Sequence, residues 1–130
     1  MKHIKHILLG ITLISAFQLT SCVQETHLKT ITFKVDMRSE RTIDNVGVRG
    51  NFTDNAWNET LLLEDKDQDS IYEITLSKKT AINQIQFKFV NQGEYELKGQ
   101  DNRIIVFEYE PETISYEAVF NTKDSTIIKQ

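Results

Sequence analysis

Asp65, Asp67 and Asp69 alternate along the chain as the oxygen donors of a calcium loop do, where closely spaced carboxylates replace the hydration shell of a hard cation. The rest of such a loop is missing, because Ser70 stands where the sharp turn needs glycine and Leu76 stands where the bidentate glutamate belongs. The run therefore reads as a solvated acidic hairpin turn, and no metal site is expected. Nucleophilic chemistry is constrained more tightly still. Cys22 is the single cysteine, and the one histidine after it is His27, so Ser-His-Asp and Cys-His arrangements and a His-based zinc site lack their parts. Carboxylates are abundant, but a glycosidase-type acid pair needs a cleft that shields one acid and raises its pKa. The expectation is a protein that is not an enzyme and uses no cofactor.

Cys22 suggests a different chemistry. Lys2 and Lys5 precede an apolar stretch from Ile7 to Phe17 that is too short to remain as a bilayer-spanning helix. Leu19-Thr20-Ser21-Cys22 follows, and it resembles the lipobox at which bacterial lipoprotein signal peptides are cut. Residues 1–21 are thus expected to be a signal peptide, with Cys22 the lipidated first residue of the mature chain. Several acyl chains on one cysteine give lasting membrane attachment, whereas one chain is marginal. Val23 is not the aspartate that resembles an inner-membrane retention signal, so the expected location is the cell envelope, at the outer membrane.

Removing Lys2 and Lys5 reduces the 15 basic residues to 13 against 19 acidic ones, which takes the net charge from −4 to −6. Nucleic acid is excluded as a partner on that balance, since its binders cluster Lys and Arg against phosphates. Electrostatic docking on anionic lipid is disfavoured for the same reason. With the single thiol acylated, a disulfide cannot hold the fold, so a hydrophobic core must. About 100 residues suffice for one domain.

The elements follow from period-2 alternation. Ile31, Phe33 and Val35 oppose Thr30, Thr32 and Lys34; Ile85, Phe87 and Phe89 oppose Gln84, Gln86 and Lys88; Ile114, Tyr116, Ala118 and Phe120 share one face of a late strand. Shorter apolar runs at Val46–Val48, Leu61–Leu63, Ile71–Leu76, 94–98 and 104–108 complete the set. Turn residues separate them at Gly50-Asn51, Asp65 to Ser70, Asn91-Gln92-Gly93, Gly99 to Asn102 and Pro111. The pattern predicts an all-β fold, an antiparallel immunoglobulin-like β-sandwich of seven to eight strands over residues 28–121. Residues 22–27 are expected to be a tether behind the lipidated cysteine and 122–130 a tail, in which Thr126-Ile127-Ile128 could add an edge strand.

A resemblance then emerges. Thr32-Phe33-Lys34-Val35-Asp36-Met37, Gly50-Asn51-Phe52, Trp57, Asp65 to Glu73, Phe87-Lys88-Phe89-Val90-Asn91 with Tyr95, and Asp101-Asn102-Arg103 follow in the order found in starch- and glycogen-binding carbohydrate modules. The sequence resembles that family from about Ile31 to Phe120. The resemblance implies a ligand site made of two aromatic platforms, Trp57 and Tyr95, with the Lys88 ammonium and the Asn102 amide. The tyrosine replaces a commoner tryptophan, and four residues separate Phe52 from Trp57 where many relatives have fewer.

The residues themselves agree in part. Lys88 opposes Phe87 and Phe89, so its ammonium is expected to reach solvent and donate to hydroxyls. Trp57 sits in a polar turn among Asn55, Asn58 and Glu59. A site of two platforms is expected to hold both rings on one exposed surface within about 10 to 12 Å, a span comparable to two sugar units and longer than direct ring contact. The expected function is non-catalytic binding of an α-glucan polysaccharide by a membrane protein anchored through lipid. The alternative is an envelope lipoprotein of the same fold that contacts other envelope proteins and binds no sugar.

Overall fold

The computed structural model describes residues 22–130; the signal-peptide expectation falls on residues 1–21, outside the described residues. Among the described residues the fold is all-β, with nine strands in two sheets. The strands are β1 (His27–Asp36), β2 (Gly47–Gly50), β3 (Leu61–Leu62), β4 (Ile71–Thr80), β5 (Gln84–Asn91), β6 (Glu94–Tyr95), β7 (Arg103–Val106), β8 (Glu112–Val119) and β9 (Ser125–Lys129). One sheet has the order β4-β1-β8-β9, and the other has the order β3-β2-β5-β6 with β7 also paired to β5. No helix among the described residues is long and apolar enough to cross a membrane.

The alternation read from sequence fixes which faces meet. Ile31, Phe33 and Val35 of β1 and Ile114, Tyr116 and Ala118 of β8 line the inner face of the first sheet, against Ile85, Phe87 and Phe89 of β5. Phe87 is the centre of this packing, edge-on to Phe33 and to Tyr116 with ring centroids 4.9 Å away in both cases. Such edge-to-face aromatic pairs contribute about 0.5–1.5 kcal/mol beyond their burial.

Three expectations are corrected. The sandwich is not wholly antiparallel: β1 and β8 pair in parallel, with Phe33 opposite Tyr116. Alternation is the same in either direction, so it carries no information about orientation. A parallel pair needs a long crossover, and here the whole second sheet lies within it, because β2, β3, β5, β6 and β7, together with β4, all fall between β1 and β8 in sequence. Nine strands replace the expected seven to eight. The extra one is β9, which turns most of the expected 122–130 tail into an edge strand paired antiparallel to β8, at the Thr126-Ile127-Ile128 run that offered one.

Lys29 continues the inward face of β1 beyond Ile31, and it is buried with the first residue of β8, Glu112, directly opposite in the parallel register. Their charged atoms are 2.7 Å apart, and Lys29 also donates to the carbonyls of Glu108 and Glu110. Glu112 in turn accepts from Lys129 of β9 at 3.0 Å and from the Glu108 amide at 3.1 Å. Burial pushes the Glu112 carboxyl up, but the bonds from Lys29 and Lys129 outweigh it and hold it below the usual range. The folded state thus binds fewer protons at this group than the unfolded chain does, so its contribution is full above about pH 4.3 and is lost as pH falls further.

Glu112→Gln is expected to cost about 3 kcal/mol at neutral pH, because it leaves the Lys29 ammonium buried without its counter-ion. In urea melts from pH 7 to pH 3 the difference between wild type and variant should narrow below about pH 4; a constant gap would show that the charge of Glu112 is not what stabilises this end of the sandwich.

Candidate functional site

The site begins on the outer face of the second sheet. Because Phe87 and Phe89 point inward, Lys88 points outward, and the pairing of β2 with β5 sets Arg49 directly opposite it. Tyr95 of β6 lies opposite Val90, which puts its ring on the same outer face. Beyond Tyr95 the ladder stops. Glu96 keeps its backbone amide bonded to the Phe89 carbonyl at 3.0 Å, but the Phe89 amide is taken by the Glu96 carboxylate at 2.9 Å instead of by a main-chain oxygen. The chain then leaves the sheet at Leu97, whose φ of 51° no strand residue adopts.

Glu96 and Arg103 close the loop that follows. Both side chains are almost fully buried, and the guanidinium grips the carboxylate with two bonds, Nε to Oε1 at 2.6 Å and an Nη to Oε2 at 2.9 Å. The remaining lone-pair and donor positions are filled as well. The Asn121 amide donates to Glu96 Oε2 at 3.1 Å, and Arg103 donates to the Thr122 carbonyl at 2.6 Å and the Val119 carbonyl at 3.3 Å. Burial opposes the Arg103 charge, but its bonds to Glu96 outweigh this and hold the guanidinium more firmly protonated than usual. Since Glu96 and Arg103 face inward, their neighbours Tyr95 and Asn102 face outward.

The turn carrying Trp57 is docked onto β5 from the other side. Asn51 exchanges two bonds with Gln86, amide to carbonyl and side-chain oxygen to amide, each 3.0 Å long. Gly50 makes this approach possible, because a Cβ there would lie 2.5 Å from the Gln86 carbonyl oxygen and 2.6 Å from the Phe52 ring. Trp57 itself has a φ of 65°, a left-handed backbone uncommon for a bulky residue and costing on the order of 1–2 kcal/mol. Its amide donates to the Gly50 carbonyl at 2.9 Å and its carbonyl accepts the Tyr95 hydroxyl at 2.8 Å. A strained conformation pinned at both ends aims the indole.

All four residues named from the sequence meet here. Trp57, Lys88, Tyr95 and Asn102 line one surface groove of about 310 Å³, together with Lys98 and Gly99. Both rings are half-buried. Their arrangement differs from the expected separated platforms: the centroids are 6.4 Å apart at an interplanar angle of 61°, so the rings touch edge-to-face and form a corner. Lys88 differs too. Its ammonium donates to the Leu97 carbonyl at 3.0 Å and the Gln100 carbonyl at 2.9 Å, which fastens the loop and leaves one of three donors for a ligand. Asn102 uses one amide hydrogen on Gln86 Oε1 at 3.2 Å.

Sequence reasoning missed Lys98, Gly99, Arg49 and the Glu96–Arg103 pair. Alternation offered a signal for Glu96, which follows an outward Tyr95, but nothing in the sequence joins it to Arg103. The acidic turn lies elsewhere. Asp65, Asp67 and Asp69 bring carboxylate oxygens within 4.8 Å of one another, yet Asp65 accepts the amides of Asp69 and Ser70 at 3.1 and 2.9 Å. Its charge is spent on closing the turn. Cys22 is exposed and precedes β1 by a short segment without strand structure. Neither a protein-family model nor a curated protein matches the sequence.

Arg103→Met is expected to lower stability by about 3–5 kcal/mol, since it strands the Glu96 carboxylate without a counter-charge. Tyr95→Phe should cost only about 1 kcal/mol, but it frees the Trp57 carbonyl. Trp57 is the single tryptophan, so a red-shifted, more quenchable emission in Tyr95→Phe would report the loosened turn, and an unchanged spectrum would mean that the hydroxyl does not hold it.

Proposed function

We propose that this protein is a non-catalytic glycan-binding module of the starch- and glycogen-binding kind, an immunoglobulin-like β-sandwich that holds α-glucan chains in the groove between Trp57 and Asn102. The observation that carries this reading is convergence. Four side chains from four separate segments, chosen for their resemblance to a saccharide site, line the same groove.

The chemistry of the groove suits a sugar. Pyranose rings offer apolar C–H faces rimmed by hydroxyls, so an aromatic corner supplies contact while an ammonium and an amide supply orientation. With the rings in direct contact, the indole and the phenol embrace one sugar unit from two sides rather than spanning two along the chain. Binding at so open a site is weak, on the order of micromolar to millimolar. The exposed Cys22 before β1 suits a lipid anchor, which would place the module at the cell envelope, on the outer membrane. Several copies on one surface would then gain avidity for a repeating polymer.

Affinity electrophoresis in gels containing amylopectin tests the reading. The protein should be retarded, Trp57→Ala should abolish the retardation, and Asp67→Ala in the acidic turn should leave it unchanged. Absence of retardation on every glucan would instead favour an envelope interaction protein with the same fold and no sugar site. Metabolic labelling with a palmitate analogue, lost in Cys22→Ser, tests the anchor.

A further inference from the structure

The groove carries a sign of charge opposite to that of the chain. The sequence is net −4, yet the groove is lined by two lysines, Lys88 and Lys98, and by no carboxylate. A third cation stands beside it: the Arg49 guanidinium lies 5.3 Å from the centre of the Tyr95 ring, and its Nε is bonded to the Thr60 hydroxyl, not to an acid. The partners of Lys88 are carbonyl oxygens, which orient an ammonium without cancelling its charge.

Among the described residues, Lys98 alone of the three cations forms an ion pair. Glu94 meets Lys98 at 2.9 Å, with both side chains more than two-thirds exposed, so the pair is loose and screened by solvent. Neither Lys88 nor Arg49 is paired with a carboxylate among the described residues. A neutral glucan needs donors and acceptors in comparable number, whereas lysine offers donors alone. An anionic oxygen matches them better, because hydrogen bonds from ammonium to a charged acceptor are roughly twice as strong as neutral ones.

We infer, on the basis of the glycan reading above, that the preferred ligand is a glycan chain bearing an anionic substituent, a phosphate monoester or a carboxylate, with the sugar against the Trp57–Tyr95 corner and the anion toward Lys88 and Lys98. The full-length protein in neutral detergent is titrated with amylopectin, with chemically phosphorylated amylopectin and with oxidised, carboxylated amylopectin, and the emission of Trp57 is followed. At about 50 mM salt the phosphorylated polymer should bind about five- to twenty-fold more tightly than the neutral one, and the advantage should shrink at about 500 mM. Lys98→Gln and Arg49→Gln should each reduce that advantage, and Lys66→Gln, remote from the groove, should keep it. Equal affinity for the neutral and both charged polymers overturns the inference and leaves the glycan reading standing; failure of all three to bind overturns both. Equal gains from phosphate and carboxylate support recognition of charge alone, and a gain confined to one identifies which anion the groove accepts.

Discussion

The bidentate pair between Glu96 and Arg103 is the interaction on which the candidate site depends. It lies where β6 ends and β7 begins, so it joins the two ends of the loop that presents Lys98, Gly99 and Asn102. The same carboxylate replaces a main-chain acceptor for Phe89, and the same guanidinium gathers carbonyls from the last residue of β8 and the segment after it. Removing a charged pair from water costs several kcal/mol per ion. That cost is offset here because both oxygens and most of the guanidinium hydrogens have partners. An apolar pair of equal volume could fill the space, but it could neither take the Phe89 amide nor fix the direction of the loop.

Lys88 adds a second tie. Its ammonium binds two carbonyls of the loop, so a residue on rigid β5 and a buried ion pair together hold a segment with no regular structure. The Trp57 turn is held in a comparable way, by Asn51 on Gln86, by the Gly50 carbonyl, and by the Tyr95 hydroxyl. Both halves of the groove thus hang from β5, whose other face carries Phe87 and Phe89. The aromatic core and the surface groove are two sides of one strand.

The sequence made the strands legible wherever one face is buried, since Ile31, Phe33 and Val35, or Ile85, Phe87 and Phe89, repeat every second residue. Where burial is slight, the pattern weakened. Every residue of β9 is exposed, so its place at the edge of the sheet had little hydrophobic signal. Residues 96–98 looked like a continued strand, because a side-chain carboxylate standing in for a backbone carbonyl leaves no trace in periodicity. The candidate residues were legible through a resemblance in type and order, and the fold brought Trp57, Lys88, Tyr95 and Asn102 to one groove. Their detailed roles were not legible: Lys88, read as a free donor, is largely engaged in binding its own loop.

What the sequence determined by itself is which side chains face inward along each strand, because a two-residue repeat follows from the pleat and needs no partner. It also determined the acidic balance and the absence of cysteine and histidine after His27. Tertiary structure decided the parallel pairing of β1 with β8, the burial of Lys29 with Glu112 and of Glu96 with Arg103, and the 6.4 Å corner between Trp57 and Tyr95. These are contacts between segments distant along the chain or joined through a loop. Their geometry depends on which strands become neighbours and in which direction they run, and alternation within a single strand carries neither piece of information.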